Sequence, residues 1–174
     1  MEKITERVTI DDAVIDKGDV TAVVDPVWLT ANIYNGESIY NESLKGFSRE
    51  QRCLFAIMWH IAEVDNGGHD QFYFNSTGIV WKDALAGYRE IGLEEAANIL
   101  EESATRMGGN PSLDRGVRQA QLDEFDPDFR DLDDRFYKLQ QMIDFDQLMM
   151  RYIDNHRKAF HFDGDVTKPK FPRR

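Results

Sequence analysis

The sequence predicts an all-α fold, a single compact multi-helix domain. Three features predict it: apolar residues recur at three- and four-residue spacing, capping residues stand at the starts of those runs, and glycines stand at their ends. The chain has 174 residues, long enough to bury a sizeable core, and residues 1–174 read as one domain.

Residues 1–25 are mixed in character. Val8-Thr9-Ile10 and Val20-Thr21-Ala22-Val23-Val24 are β-branched enough for short extended pieces, but the acidic residues and Gly18 between them point to a loosely ordered N-terminal arm. Asp25-Pro26 predicts a helix start, with Asp as the cap and Pro at the first helical position. That helix would run through Trp28, Leu29 and Ile33 towards Asn35-Gly36. Ser48-Arg49-Glu50-Gln51 fits a capping box. Leu54, Phe55, Met58, Ile61 and Ala62 then repeat at helical spacing, and Ile57 and Trp59 widen the stripe, so this helix is expected at the centre of the core.

Asn66-Gly67-Gly68 should end that helix, with one glycine taking a positive φ. Gln71 and Asn75 lie four apart, so on a helical turn their amides share a face and suit free backbone groups at a helix end. Phe72 should face a neighbouring core. Ile79, Val80, Leu85 and Tyr88 predict a helix ending at Gly92, and Leu93 to Met107 predict another, stopped by Gly108-Gly109. Asn110-Pro111 would open the next helix. Phe125-Asp126-Pro127 breaks the chain before the stripe Phe129, Leu132, Phe136 and Leu139. Ile143 to Ile153 predict a last long helix reaching about His161. Residues 163–174 read as a mobile basic tail.

The residues around the two glycines resemble a bacterial family of uncharacterised helical domains. Its signature, Asn-Gly-Gly-x-x-Gln-aromatic-x-x-Asn, is matched here by Asn66, Gly67, Gly68, Gln71, Phe72 and Asn75, and an Ala-rich helix pair carrying Ile91-Gly92 follows. The usual aromatic after the glycines is replaced by His69, a change expected to matter little to the fold. One member of that family is a DNA-mimic protein, an acidic dimer that occupies the DNA-binding face of a repressor-type transcription factor. The resemblance therefore implies an acidic binder of a helix-turn-helix regulator.

Charge is the compositional outlier. There are 32 acidic against 21 basic side chains, a net charge of −11. Such a chain is repelled by nucleic acid and by anionic membranes, and basic proteins are its electrostatic partners. The plainer reading is that acidity serves solubility. Asp123, Glu124, Asp126, Asp128, Asp131, Asp133 and Asp134 fall within one short stretch opposed only by Arg130. A second set, Glu90, Glu94, Glu95, Glu101 and Glu102, is expected on the solvent side of the preceding helices. Carboxylates on successive helical turns approximate the spacing of phosphates, and such a surface attracts the Arg and Lys residues that contact phosphate. The competing reading makes Asp126 and Asp128 helix caps around Pro127 and the rest a solvated face.

Enzymatic signals are weaker. His60 and Glu63 lie three apart on one predicted helix, and His69 follows, so a metal or small-molecule cleft around His60, Glu63, His69 and Gln71 is the rival reading. A di-iron bundle would need Glu-x-x-His on two helices with further carboxylates; here the order is His-x-x-Glu and it occurs once. His60 fits better as a partly buried histidine satisfied by a backbone or carboxylate group. No phosphate loop, dinucleotide fingerprint or nucleophile elbow is found. Cys53 has no partner cysteine and no zinc spacing, and reads as a small buried hydrophobe. Met1 to Arg7 lack the apolar core of a signal peptide, and no run of about 18 apolar residues exists. The expectation is a cytoplasmic, non-enzymatic homodimer with no cofactor and no metal. It would bind a basic DNA-binding protein, probing neither nucleic acid nor membrane directly; an immunity-type or structural interaction protein is the other non-enzymatic alternative.

Overall fold

A computed structural model describes residues 3–169. In chain order they form strand β1 (Lys3–Ile10), helices α1 (Asp12–Ile15), α2 (Val20–Thr30), α3 (Glu37–Ser43) and α4 (Arg49–Phe74), and a 3-10 turn (Ser76–Val80). Then come α5 (Trp81–Glu90), α6 (Glu94–Arg106), α7 (Arg115–Phe125), α8 (Arg130–Met142), α9 (Phe145–Asn155), α10 (Arg157–Phe160) and strand β2 (Phe162–Pro169). The fold is a compact helical domain with one small antiparallel ribbon.

Helix α4 is its axis and packs against α2, α5, α7, α8 and α10. It begins as the capping pattern requires: the Gln51 backbone N–H donates to Ser48 Oγ at 3.0 Å, and the Ser48 N–H donates to Gln51 Oε1 at 2.9 Å. Leu54, Phe55, Ala56, Ile57 and Val64 are buried along it, and Cys53 is buried among them. Burial pushes the Cys53 thiol up to about 12, so it stays protonated and behaves as an apolar group.

The chain ends depart from expectation. The loosely ordered arm and the mobile tail are instead paired, from Ile10 opposite Phe162 to Lys3 opposite Pro169. Arg7 and Asp163 bridge the strands through two hydrogen bonds of 2.9 and 2.8 Å, and Ile10 of β1 and Val166 of β2 are buried. Each strand needs a partner from the opposite end of the sequence, so neither looks stable when read locally. The last residues of the expected tail, 170–174, lie outside the described residues, as do 1 and 2.

Helix α2 also begins earlier than Asp25-Pro26 predicts. Asp19 caps it, accepting from the Thr21 and Ala22 N–H groups at 2.9 and 3.2 Å. Val20, Val23, Val24 and Val27 are buried at helical spacing, so core packing overrides the β preference of this valine run. Pro26 sits inside the helix. Helix α7 starts at Asp114 rather than Asn110, with the Asp114 carboxylate accepting from the Val117 N–H at 2.9 Å; the Pro111 carbonyl is instead taken by the indole N–H of Trp81 at 2.9 Å. The last predicted helix is broken at His156 (φ −130°) into α9 and α10.

Candidate functional site

Two neighbouring features carry the residues singled out from the sequence: the polar interior of the glycine corner in α4, and the acidic surface built on α6, α7 and α8.

At the corner Gly68 has φ 73° and ψ −176°, a conformation that side chains oppose, and Gly67 has φ −161°. The helix does not stop there. It is kinked, resumes at once and runs on to Phe74. A Cβ on Gly68 would run into the carboxylate of Asp133 on α8, so the glycine also makes room for a contact between helices.

Gln71 and Asn75 share a face, as their spacing predicts, but they do not bind backbone through their amides. The kink folds them back over the preceding turn of α4, where Gln71 Nε2 and Asn75 Nδ2 donate to Glu63 Oε2 at 2.7 and 2.9 Å. The Thr77 hydroxyl donates to Glu63 Oε1 at 3.0 Å. A buried carboxylate thus organises the corner, with neutral donors supplying its partners. Phe72 is fully buried, edge-on to the His60 ring. Asn66 lies exposed beside the corner.

His69 is not a neutral replacement for an aromatic residue. Its side chain is fully buried, Nδ1 lies 2.6 Å from Asp133 Oδ1, and its backbone N–H donates to the same oxygen at 2.9 Å. Its Nε2 lies 3.3 Å from Nε2 of His60, and His60 Nδ1 lies 2.8 Å from the Tyr88 hydroxyl. His60 is therefore wholly rather than partly buried, and its partners are a tyrosine and a second histidine. Burial, with the His69 ring adding to it, holds His60 well below the usual imidazole range. The four residues of the imagined cleft are split between two hydrogen-bonded sets. His60 and His69 belong to this chain and have no exposed surface, while Glu63 and Gln71 belong to the other.

Arg118 on α7 is fully buried and, among the described residues, has no acidic hydrogen-bond partner. Its guanidinium donates to the carbonyls of Tyr73, Ser112 and Asn75 at 2.7, 2.6 and 2.7 Å. Burial lowers it to about 10. It satisfies carbonyls at the end of α4, where the helix dipole favours a cation. The sequence did hold a signal, because Arg118 falls four residues before the buried Leu122, on the apolar stripe of α7.

The acidic surface divides into three groups. In the first, arginines tie α6 to α8: Arg106 pairs with Glu102 (2.7 Å) and Asp131 (2.5 Å), and Arg135 pairs with Glu95 and Glu102 (both 2.8 Å). Hydrogen bonds from these arginines hold Asp131 and Glu102 below the usual carboxylate range. Glu101 pairs with Arg89 at 2.9 Å. The second group lines an open groove at the α7–α8 corner, where Asp126, Asp128 and Asp133 meet Asp70. Asp126 takes a left-handed conformation (φ 40°) at the end of α7. Asp128 accepts from the N–H and the guanidinium of Arg130, which holds it far below the usual range. Asp133 reaches the groove with a side chain only 18% exposed and spends one oxygen on His69. The third group, Asp123, Glu124, Asp134 and Glu94, is exposed, and among the described residues none of its members forms an ion pair. The sequence therefore overcounts the free negative charge, because it does not reveal which carboxylates Arg106, Arg130 and Arg135 neutralise.

Among the described residues no helix is long and apolar enough to cross a membrane. No curated protein and no solved structure matches this chain. Residues 45–156 match the family model described as DMP19-like protein, a span running from just before the capping turn of α4 to the break at His156 and leaving the ribbon, α1–α3 and α10 outside it. The match covers well over half of the chain and contains the corner, its buried polar chain and the whole acidic surface, and on that match the chain belongs to the DMP19-like protein family.

Proposed function

We propose that this protein is an acidic DNA mimic, which binds the DNA-contacting face of a helix-turn-helix regulator and keeps that regulator from DNA. The observation that carries the reading is the α7–α8 corner: an open groove lined by four aspartates with Pro127, Phe129 and the Asp128-paired Arg130, and with the exposed carboxylates of Asp123, Glu124 and Asp134 on the same two helices. Family membership and the net charge of −11 support it. A basic face that normally meets phosphates gains from fixed carboxylates held on rigid helices, because the ordering cost is met on folding. A helix-turn-helix dimer presents two such faces about a dyad, so the reading carries a two-fold homodimer with it.

The test is capture of basic DNA-binding proteins from a bacterial lysate, eluted in salt steps, with wild type beside the Asp123→Lys, Glu124→Lys, Asp134→Lys variant. Asp128 and Asp131 stay unaltered because each is already paired, with Arg130 and Arg106, so their reversal would remove ion pairs of the fold along with the surface charge. Wild type should hold a helix-turn-helix protein at low salt and release it steeply as salt rises. The variant should keep the helical CD spectrum and lose the capture. Equal capture by a well-folded variant removes this surface from the reading.

A further inference from the structure

We propose that the ring of Phe125 stacks against an arginine side chain of the basic partner, an inference that rests on the DNA-mimic reading and names the cation its surface prefers. Phe125 is the last residue of α7 and is 46% exposed. A Cβ on Gly108, in the turn that ends α6, would meet Cζ and Cε2 of the ring, so its tip is held. With the tip covered and the base fixed to the helix, the open area is ring face. Asp123 and Glu124 precede it and Asp126 follows. All three are exposed, and among the described residues none of them forms an ion pair.

The other exposed large rings among the described residues are placed differently. Trp28 stacks on Trp59 with centroids 4.4 Å apart, the Arg115 guanidinium lies over Phe74 at 5.7 Å, and Tyr34 stands between α2 and α3. Among those residues Phe125 has neither an aromatic nor a cationic partner, and it alone of these rings stands among unpaired carboxylates. The arginines beside this corner in the chain are committed, Arg106 to Glu102 and Asp131, and Arg130 to Asp128. The ring face is therefore left for a cation from another molecule.

An aromatic face is the negative end of the ring quadrupole and attracts a cation set over it. A guanidinium is planar and weakly hydrated, so it stacks at little desolvation cost, whereas an ammonium keeps its water; the ring thus favours arginine over lysine. The chain already makes this contact internally, with Arg52 over the Tyr40 ring at 4.8 Å. Asp123, Glu124 and Asp126 lie within one helical turn of Phe125, inside the Debye length of about 8 Å at physiological salt, and they pull on the same cation. Their attraction weakens as salt rises. The ring contact releases no counterions, so it supplies affinity that salt leaves in place, as aromatic residues at the centres of interfaces do.

Binding of a labelled oligoarginine peptide, and of the oligolysine peptide of equal length, to the full chain over a salt series tests this. Phe125→Leu keeps an apolar side chain against Gly108 and removes the aromatic face. It should weaken oligoarginine about 2- to 5-fold at every salt concentration, leave the slope of log affinity against log salt unchanged, and barely alter oligolysine. Phe125→Tyr should keep the arginine preference. The Asp123→Lys, Glu124→Lys, Asp134→Lys variant should instead flatten the slope for both peptides. In wild type saturated with oligoarginine, NOEs should join the Phe125 ring protons to arginine δ-protons, a readout that needs no variant to fold. The stacking role alone is overturned if wild type binds both peptides but shows no such NOEs, or if Phe125→Leu binds both as wild type does. Failure of both peptides to bind wild type at low salt overturns the acidic surface with it.

Discussion

The Asp133 carboxylate stands where a Cβ on Gly68 would have to go. Gly68 is further held at φ 73° and ψ −176°, a region almost closed to other residues. The two effects act together, so Gly68→Ala should cost more than the strain of about 1–3 kcal/mol expected for the backbone alone. It should also displace Asp133 from His69. Gly67 has φ −161°, which demands no glycine, so a Cβ there carries no backbone strain, although it would crowd the Gln71 side chain back to its Cβ and press on the bond from Gln71 to Glu63. Urea unfolding should therefore rank Gly68→Ala well below Gly67→Ala in stability, and equal losses would contradict this account of the corner.

Glu63 accepts from three neutral donors, on Gln71, Asn75 and Thr77. Glu63→Gln keeps the shape but turns one acceptor into a donor, leaving a buried polar group facing another of its kind. The expected loss is about 1–3 kcal/mol by denaturant titration. Gln71→Ala in the Glu63→Gln background should cost less than Gln71→Ala alone, a coupling that a double-mutant cycle reads.

Arg118 reaches three carbonyls with three different nitrogens. Lysine carries the same charge but lacks the planar fork, so Arg118→Lys should leave buried carbonyls unpaired and lower the thermal midpoint clearly. Arg115, which is exposed, donates to the Phe74 carbonyl and lies over the Phe74 ring, should tolerate the same change with little loss.

Assembly is tested by light scattering at tens of micromolar. The chain has a mass of 20.2 kDa, and the dimer expected of a two-half-site mimic scatters with twice that mass. The monomer mass at that concentration would count against the symmetric form of the proposal.

Much of this fold is legible where the signal is local. The Ser48–Gln51 box, the stripe through Leu54 and Ile57, and the positive φ at Gly68 all follow from residues within a few positions of one another. What the sequence hides is set by distant partners. The strands at the two ends pair only with each other, and the valines of α2 turn helical because a core exists to bury them. Gln71 and Asn75 look like capping amides until the kink places Glu63 beneath them. Asp133 reads as one more surface charge, yet His69 makes it an interior ligand. Arg106, Arg130 and Arg135 look dispersed along the chain, although folding sets each of them against carboxylates of the acidic surface.

The central claim is that this protein and DNA compete for one surface of the same regulator. Fluorescence anisotropy of labelled operator DNA bound to the captured regulator, with this protein titrated in at fixed salt, measures that most directly. The account predicts that the DNA is displaced in full, with a midpoint that moves up as DNA is added and with no displacement by the Asp123→Lys, Glu124→Lys, Asp134→Lys variant. A ternary complex in which regulator, DNA and this protein coexist, or anisotropy that stays at its DNA-bound value, would contradict it.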